Sequence, residues 1–585
     1  MSFEASSAVF PEPTATPPHR PGRAWRDRVV ASVCAFALGC PATLPQALAQ
    51  TRLPTLGDPA SEDFGIATER QLGDAIMREI RADPDYLDDP VLLEYLRSLW
   101  LPLVAQARVR GNINADVDAR LAWEPFLVRD RSVNAFALPG GYVGVHLGLM
   151  AMTGSRDELA SVLAHELSHI TQRHIARSIA NSKHQTLLSL AALVVGVLAA
   201  SRAGNSSADA ANAAIVGSQA LAAQGQLNFS RDMEREADRV GFAVMSGAGF
   251  APGGMAAMFE KLDQSSRLND SGGFPYLRSH PLTSERIGEA RARMGTSEPS
   301  RMGTSEPSRM GPAEPLGMGT AEPSRPGASP ATAPASALEH TAAQARSRVL
   351  MDARFDALRR WQALDGDRVS VSPADKLASA YESALASTLL RDWARADASI
   401  ATALALVRGG GGGAASDARA ERAVVLLQVQ SLLARGELAR ADRALAPFAA
   451  DGSRPVLLLA AQAALASAAA ATPASAPGLV TDALRQRASD LQTWVAVNPR
   501  DSLAWTALSQ IDERLGQPLR AIRADAESRV ALGDLSGAAD RLRAGQRRAR
   551  SGGAVDFIDV SVIDSRLRDI EVQRKRNEVD EKAFK

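Results

Sequence analysis

The spacing of apolar residues changes period along this chain. Over Thr68–Arg81 and Pro90–Arg108 they recur at helical spacing, which predicts two helices. The runs Pro125-Phe-Leu-Val-Arg129, Val133–Leu138 and Tyr142–Val145 are short and rich in β-branched and aromatic residues. They read as strands, with Pro139-Gly140-Gly141 turning the chain between the last two. The helical period returns at Ser155. Ser155 and Glu158 form the N-cap and N3 positions of a capping box, and Asp157 and Glu158 place negative charge in the first turn. Leu159, Val162, Leu163, Leu167 and Ile170 then predict a helix buried on most of its sides.

Helix dominates again from residue 337 to the end, with Ala and Leu at helical spacing. The segment Asn498–Leu508, followed by Leu515-Gly516 and Ala521, matches the Trp, Leu, Gly and Ala positions of the tetratricopeptide pattern. Leu433–Gly436 with Ala441, and Leu532-Gly533 with Ala538, read as further turns between paired helices. Asp512 and Asp525 stand where the pattern has Tyr and Phe. A plain alanine-rich bundle is the other reading. Between the mixed N-terminal part and this helical part lie residues 294–336. There Arg293-Met-Gly-Thr-Ser-Glu-Pro-Ser300 repeats once and decays into Gly, Pro, Ser and Ala, a composition too polar to fold and expected to be a flexible tether. The expected division is therefore 1–49, 50–293, 294–336 and 337–585.

Composition refines this picture in two places. The 66 Lys and Arg balance the 66 Asp and Glu, and no basic patch gives a nucleic-acid footprint. Residues 1–49 read as an export signal. Arg20, Arg23, Arg26 and Arg28 precede the apolar run Val29–Leu38, and Ala47-Leu48-Ala49 is a cleavage site. Cleavage near Ala49 is favoured over a lipid at Cys40, because the residues before Cys40 make a poor lipidation signal. Both cysteines, Cys34 and Cys40, lie in this segment, so the cleaved protein has no thiol, which suits a bacterial periplasm. The apolar run 187–200 is too short for a bilayer span at 1.5 Å per residue. It is expected to be core packing, a flap beside a cleft, or a contact for a membrane face or a client.

The predicted buried helix contains His165-Glu166-Leu-Ser-His169, an H-E-x-x-H motif. Histidines four apart share a helix face and can bind one Zn²⁺, and the glutamate can handle the proton of an attacking water. Two histidines and a glutamate in an apolar helix are costly to bury unless something satisfies them. Catalytic zinc usually takes a third protein ligand. A metzincin would need Gly and His where Gln172 and Ile175 stand, so that class is excluded. His174 falls about 140° round the helix from His169 and reads as a surface or supporting histidine. A second helix offers Glu234, Glu236 and Asp238. A carboxylate there could complete the site and Asp238 could hold a ligand histidine, although spacing does not choose between Glu234 and Glu236.

Three motifs in order, Asn134-Ala-Phe-Ala-Leu-Pro-Gly-Gly141, His165–His169 and Glu234-x-x-Ala237-Asp238, resemble the HtpX and CaaX-prenyl-protease type of zinc metallopeptidase. With the export signal and the repeat half, the chain resembles the members of that family that serve outer-membrane barrel assembly. The resemblance implies an α+β, gluzincin-like metallopeptidase domain, mostly helical with a small sheet, followed by an all-α tetratricopeptide-like domain. It implies one Zn²⁺ held by His165, His169 and Glu234, with Glu166 as catalytic base and Asp238 supporting the site. It also implies that His280, in Ser279-His-Pro281, is a regulatory fourth ligand. The implied activity is hydrolysis of unfolded or stalled envelope proteins, with the barrel assembly machinery met through the repeat half. A scaffold or chaperone with a latent protease site is the alternative.

Overall fold

A computed structural model describes residues 65–181, 231–268, 274–296, 337–364, 372–409, 417–470, 477–550 and 557–584. The expected signal, the apolar run 187–200 and nearly all of the 294–336 tether lie outside the described residues.

The N-terminal part is built on a four-stranded sheet. Helix α1 (Ile66–Arg81) leads into β1 (Tyr86–Leu87), α2 (Pro90–Val109) and α3 (Ala115–Arg120), then β2 (Glu124–Val128), β3 (Ala135–Leu138) and β4 (Tyr142–His146). The strand order is β1-β2-β4-β3, with β2 and β4 parallel and the other pairs antiparallel. Strand β3 is thus an edge. The strands alternate faces with period two, as pleating requires. Leu127, Ala135, Val143 and Val145 point into the main core, while Phe126, Val128, Leu138 and Tyr142 pack against α1 residues Leu72, Ile76, Met77 and Ile80.

Helices α4 (Leu147–Met152), α5 (Arg156–Thr171) and α6 (His174–Asn181) follow, then α7 (Arg231–Gly247), α8 (Gly253–Leu268), α9 (Pro275–Ser279) and α10 (Ser284–Thr296). Helix α5 is the centre of the fold, and every residue from Glu158 to Ile170 is buried. Its start follows the predicted cap in part. Ser155 Oγ accepts from the Glu158 amide, but the Glu158 carboxylate reaches back to the Gly154 amide, one residue before the cap. Helix α7 lies close against α5 because Gly241 has no side chain. A Cβ there would come within 3.0 Å of the Ala164 carbonyl oxygen.

The C-terminal half is all helical: α11 (Ala337–Leu350), α12 (Phe355–Gln362), α13 (Pro373–Leu389), α14 (Trp393–Val407), α15 (Ala418–Ala434), α16 (Leu438–Leu445), α17 (Arg454–Ala470), α18 (Pro477–Val497), α19 (Ser502–Arg514), α20 (Pro518–Ala531), α21 (Leu535–Arg550) and α22 (Phe557–Phe584). The turns read from the sequence at Gly436, Gly516 and Gly533 carry positive φ, the left-handed conformation that ends one helix and starts the next.

This half packs on the N-terminal part through arginines. Arg346 on α11 makes a two-pronged bond to Asp89, the N-cap of α2, at 2.9 and 2.7 Å. Arg422 on α15 holds Glu94 at 2.6 and 3.2 Å, and Arg454 on α17 joins Asp88 to Asp501. His340 on α11 bonds Tyr95 and the Thr153 carbonyl, and Ala343 is part of the N-terminal core. Whatever the tether does, its far end returns to a packed interface.

Removing one partner of a buried ion pair strands the other. The change Arg346→Ala is therefore expected to destabilise the protein by about 3–5 kcal/mol in denaturant unfolding. Asp501 supplies a pH readout. Burial opposes its ionisation, yet the Arg454 guanidinium bonded to it holds its carboxyl below the usual carboxylate value of 3.8. Because the folded carboxyl titrates lower, its contribution is full above the unfolded value and fades as pH falls through the folded one. The change Asp501→Asn should flatten the pH dependence of unfolding below about pH 4, measured by circular dichroism.

Candidate metal centre and peptidase site

Three elements bring the donors together. Helix α5 gives His165 and His169 on one face, α7 gives Glu234, and the end of α9 gives His280. One donor atom from each lies within 4.8 Å of all the others, and all four residues are buried. His165 Nε2 is 3.0 Å from His169 Nε2 and 3.3 Å from His280 Nδ1. Glu234 Oε1 is 3.0 Å from His280 Nδ1 and 3.5 Å from His169 Nε2.

The surrounding hydrogen bonds fix which lone pairs face inward. Asp238 Oδ1 accepts from His165 Nδ1 at 2.9 Å, leaving the Nε2 lone pair of a neutral His165 free. Glu236 Oε2 accepts from His174 Nε2 at 3.0 Å, so a neutral His174 accepts at Nδ1 from His169 Nδ1, also at 3.0 Å. The lone pair of His169 then lies on Nε2. Two imidazole lone pairs and a carboxylate oxygen converging at this distance repel one another, and a cation converts that repulsion into ligation. Imidazole nitrogens with one carboxylate are a donor set suited to zinc, so the residues present fit the metal.

Electrostatics point the same way. Burial disfavours a charged His165, but the carboxylates of Asp238 and Glu234 outweigh it and push the imidazole up to about 10. Burial and the neighbouring His165 push His169 well below its usual value. Burial raises the Glu234 carboxyl, but His280 and His165 outweigh it and hold the group well below the usual range. The field that favours a proton on His165 favours a metal ion beside it.

Glu166 is fully buried. Its Oε2 accepts from the Ala137 amide of edge strand β3 at 3.0 Å. Its Oε1 has no hydrogen-bond partner among the described residues and stands 3.6 Å from His280 Nε2. It is thus held beside the four donors without being one of them.

The sequence-predicted residues His165, Glu166, His169, Glu234, Asp238 and His280 all occupy this one cluster. Between the two acids that spacing left open, Glu234 faces the donors and Glu236 faces His174 and Arg177. His174 is buried and not at the surface, because its ring is clamped between His169 and Glu236.

Two residues went unseen in the sequence. Arg286 on α10 bonds Asp238 at 2.6 and 2.8 Å, the Pro281 carbonyl at 2.9 Å, and pairs with Glu234 Oε2 at 3.0 Å. Tyr276 stacks on His280 with ring centroids 4.7 Å apart, and its amide bonds the Val133 carbonyl beside β3. Arg286 follows His280 by six residues, and that proximity to the Ser-His-Pro loop was the available signal.

Residues 104–294 match the family model described as Peptidase family M48. Over those residues the chain is similar to M48 peptidases. It is 39% identical over 241 residues to the putative beta-barrel assembly-enhancing protease of Vibrio cholerae, covering 41% of this chain and 47% of that protein. It is 34% identical over 247 residues to the beta-barrel assembly-enhancing protease of Escherichia coli K12, covering 42% and 48%. The mitochondrial metalloendopeptidase OMA1 of Schizosaccharomyces pombe is 34% identical over 169 residues, covering 28% and 45%. The chain spans about half the length of the curated relatives it matches. The matched residues contain all four donors and all three motifs that carry the resemblance to this family of zinc metallopeptidases.

Residues that orient a ligand matter nearly as much as the ligand. Asp238→Asn, and separately His174→Phe, should each weaken zinc binding by about 10–100-fold in chelator competition, with the helical signal retained.

Proposed function

We propose that this protein is an exported zinc-dependent metalloendopeptidase that cleaves unfolded or stalled envelope proteins in outer-membrane protein quality control and assembly. The observation that carries this reading is the buried His165, His169, Glu234 and His280 cluster with Glu166 held against edge strand β3. The names of the Vibrio and Escherichia relatives support the cellular role.

His165, His169 and Glu234 would hold the metal. When bound, zinc supplies a Lewis acid that acidifies water and polarises the scissile carbonyl. Glu166 takes the attacking water's proton and passes it to the leaving amine. Its position is set by the Ala137 amide, and the apolar walls of α5 keep its charge poorly screened. Asp238, itself fixed by Arg286, keeps His165 in the ligand tautomer. An extended client adds its backbone along β3, a mode that reads main chain before side chains and suits unfolded substrates.

His280 acts as a regulatory fourth ligand. A donor in that position excludes the water that catalysis needs, so the resting enzyme is shut until the α9 loop withdraws. The C-terminal half is a tetratricopeptide-like surface for clients and for the barrel assembly machinery. The protein works in the periplasm after signal cleavage near Ala49, with 187–200 as a peripheral membrane contact. Among the described residues no helix is long and apolar enough to cross a membrane. The approach of His280 to Glu234 and His165 also favours a second reading, a chaperone or scaffold whose histidine-capped protease site stays latent.

Cleavage of a denatured client separates the two. The enzyme requires about one zinc per chain by elemental analysis. It also requires that Glu166→Gln abolish cleavage while His280→Ala raises it or leaves it intact. If neither change alters client turnover while removal of residues 337–585 does, the scaffold reading replaces the enzyme.

A further inference from the structure

Asp512, which replaces the tyrosine of the repeat pattern, has no part in the peptidase chemistry. It lies on α19 with 2% of its surface exposed, and its Oδ1 is buried with no hydrogen-bond partner among the described residues. It lines a cleft of about 510 Å³ to which α18, α19, α20 and α22 contribute. The apolar wall includes Val495, Trp505 and Leu508, all buried hydrophobic side chains. A carboxylate so placed lacks the partner that burial normally demands. Desolvation accordingly pushes the Asp512 carboxyl up to about 6, with Arg520 and Arg523 on α20 opposing that rise and Asp559 on α22 adding to it.

The charges at the cleft narrow what could enter. Arg520 is engaged with Asp559, its Nε 3.2 Å from both carboxylate oxygens, so those two largely neutralise each other. Asp512 is the lining acid left with an unmet oxygen. A group that answers it must bring a donor, preferably charged, to a single oxygen, and must lie against the apolar side chains that line the cleft with it. A lysine does both: a flexible methylene stem buries against apolar surface, and a compact ammonium makes point contacts. The planar fork of arginine is matched to two oxygens and suits a single one less well.

We propose that this cleft receives a lysine side chain of a partner polypeptide, its stem against Val495, Trp505 and Leu508 and its ammonium on Asp512 Oδ1. This deepens the reading of the helical half as a partner surface by naming the side chain it selects. It is independent of the metal centre, because the readout is binding and not cleavage.

The test uses the full-length protein and two fluorescent, otherwise uncharged peptides that differ only in one central residue, lysine or norleucine. Anisotropy titration should give about tenfold or more tighter binding of the lysine peptide, the difference expected for a bond to a charged group. Asp512→Asn, which keeps the shape and removes the charge, should abolish that preference. Equal affinity of the two peptides for the unaltered protein overturns the proposal, and so does failure of the lysine peptide to bind at millimolar concentration. That comparison needs no variant to fold. A third peptide with glutamate at that position that bound more tightly than the lysine peptide would also overturn it, moving the anchor to Arg523. Loss of both peptides' binding in Trp505→Ala, without a lysine preference in the parent, would keep a partner surface and reject the lysine assignment.

Discussion

The structure turns on one costly act: helix α5 carries two histidines and a glutamate through a region where every neighbouring residue is buried. Charged and polar groups in such a place must be answered one by one. The answers come from distant parts of the sequence. Asp238 takes the His165 proton, His174 takes that of His169, the Ala137 amide holds Glu166, and Arg286 sits across Asp238 and Glu234. What remains unanswered is a set of lone pairs facing one another, and a divalent cation is the group that fits. The metal is therefore part of the accounting that lets α5 be buried at all, and the close approach of α7 at Gly241 follows from the need to bring Glu234 and Asp238 within reach.

How much of this could be read beforehand depended on whether the signal was local. The H-E-x-x-H spacing, the strand alternation and the Pro-Gly-Gly turn are local, and each element appeared within a few residues of its expected place. The choice of Glu234 over Glu236 was not local. Both lie on α7 near basic residues, and only the rotation of that helix against α5 sends one to the donors and the other to His174. Arg286 was invisible for the same reason, since a buried arginine looks like any other until its carboxylates are in place. For His174 the surface and supporting readings both stayed open, because angle round a helix carries no information beyond the end of α5. The chain leaves that helix at Thr171, and α6 starts a new axis that turns the ring back onto His169.

The two halves are joined by the same physics. Three arginines of the helical half meet acids at the start and first turns of α2, and Asp89 serves at once as helix cap and ion-pair partner. A composition-based reading sees a Pro/Gly/Ser tether and infers loose attachment. Composition describes the tether alone, whereas attachment depends on what its ends touch. Here the far end places His340 and Ala343 against the peptidase core, so a partner held by the helical half would be held at a fixed position relative to α2 and the helices packed on it.

The edge of β3 is where these constraints meet. Ala137 directs its amide away from β4 and gives it to Glu166, while the carbonyl of Val133 takes the amide of Tyr276. In the proposed mode of client binding, an incoming extended chain would need those same backbone groups. Its arrival competes with Glu166 for one and with the α9 loop for the other. Because Tyr276 is stacked on His280, displacing the loop backbone disturbs the histidine at the metal cluster as well. Occupancy of the strand edge and occupancy of the fourth donor position are therefore coupled through a single short segment, Phe274–His280.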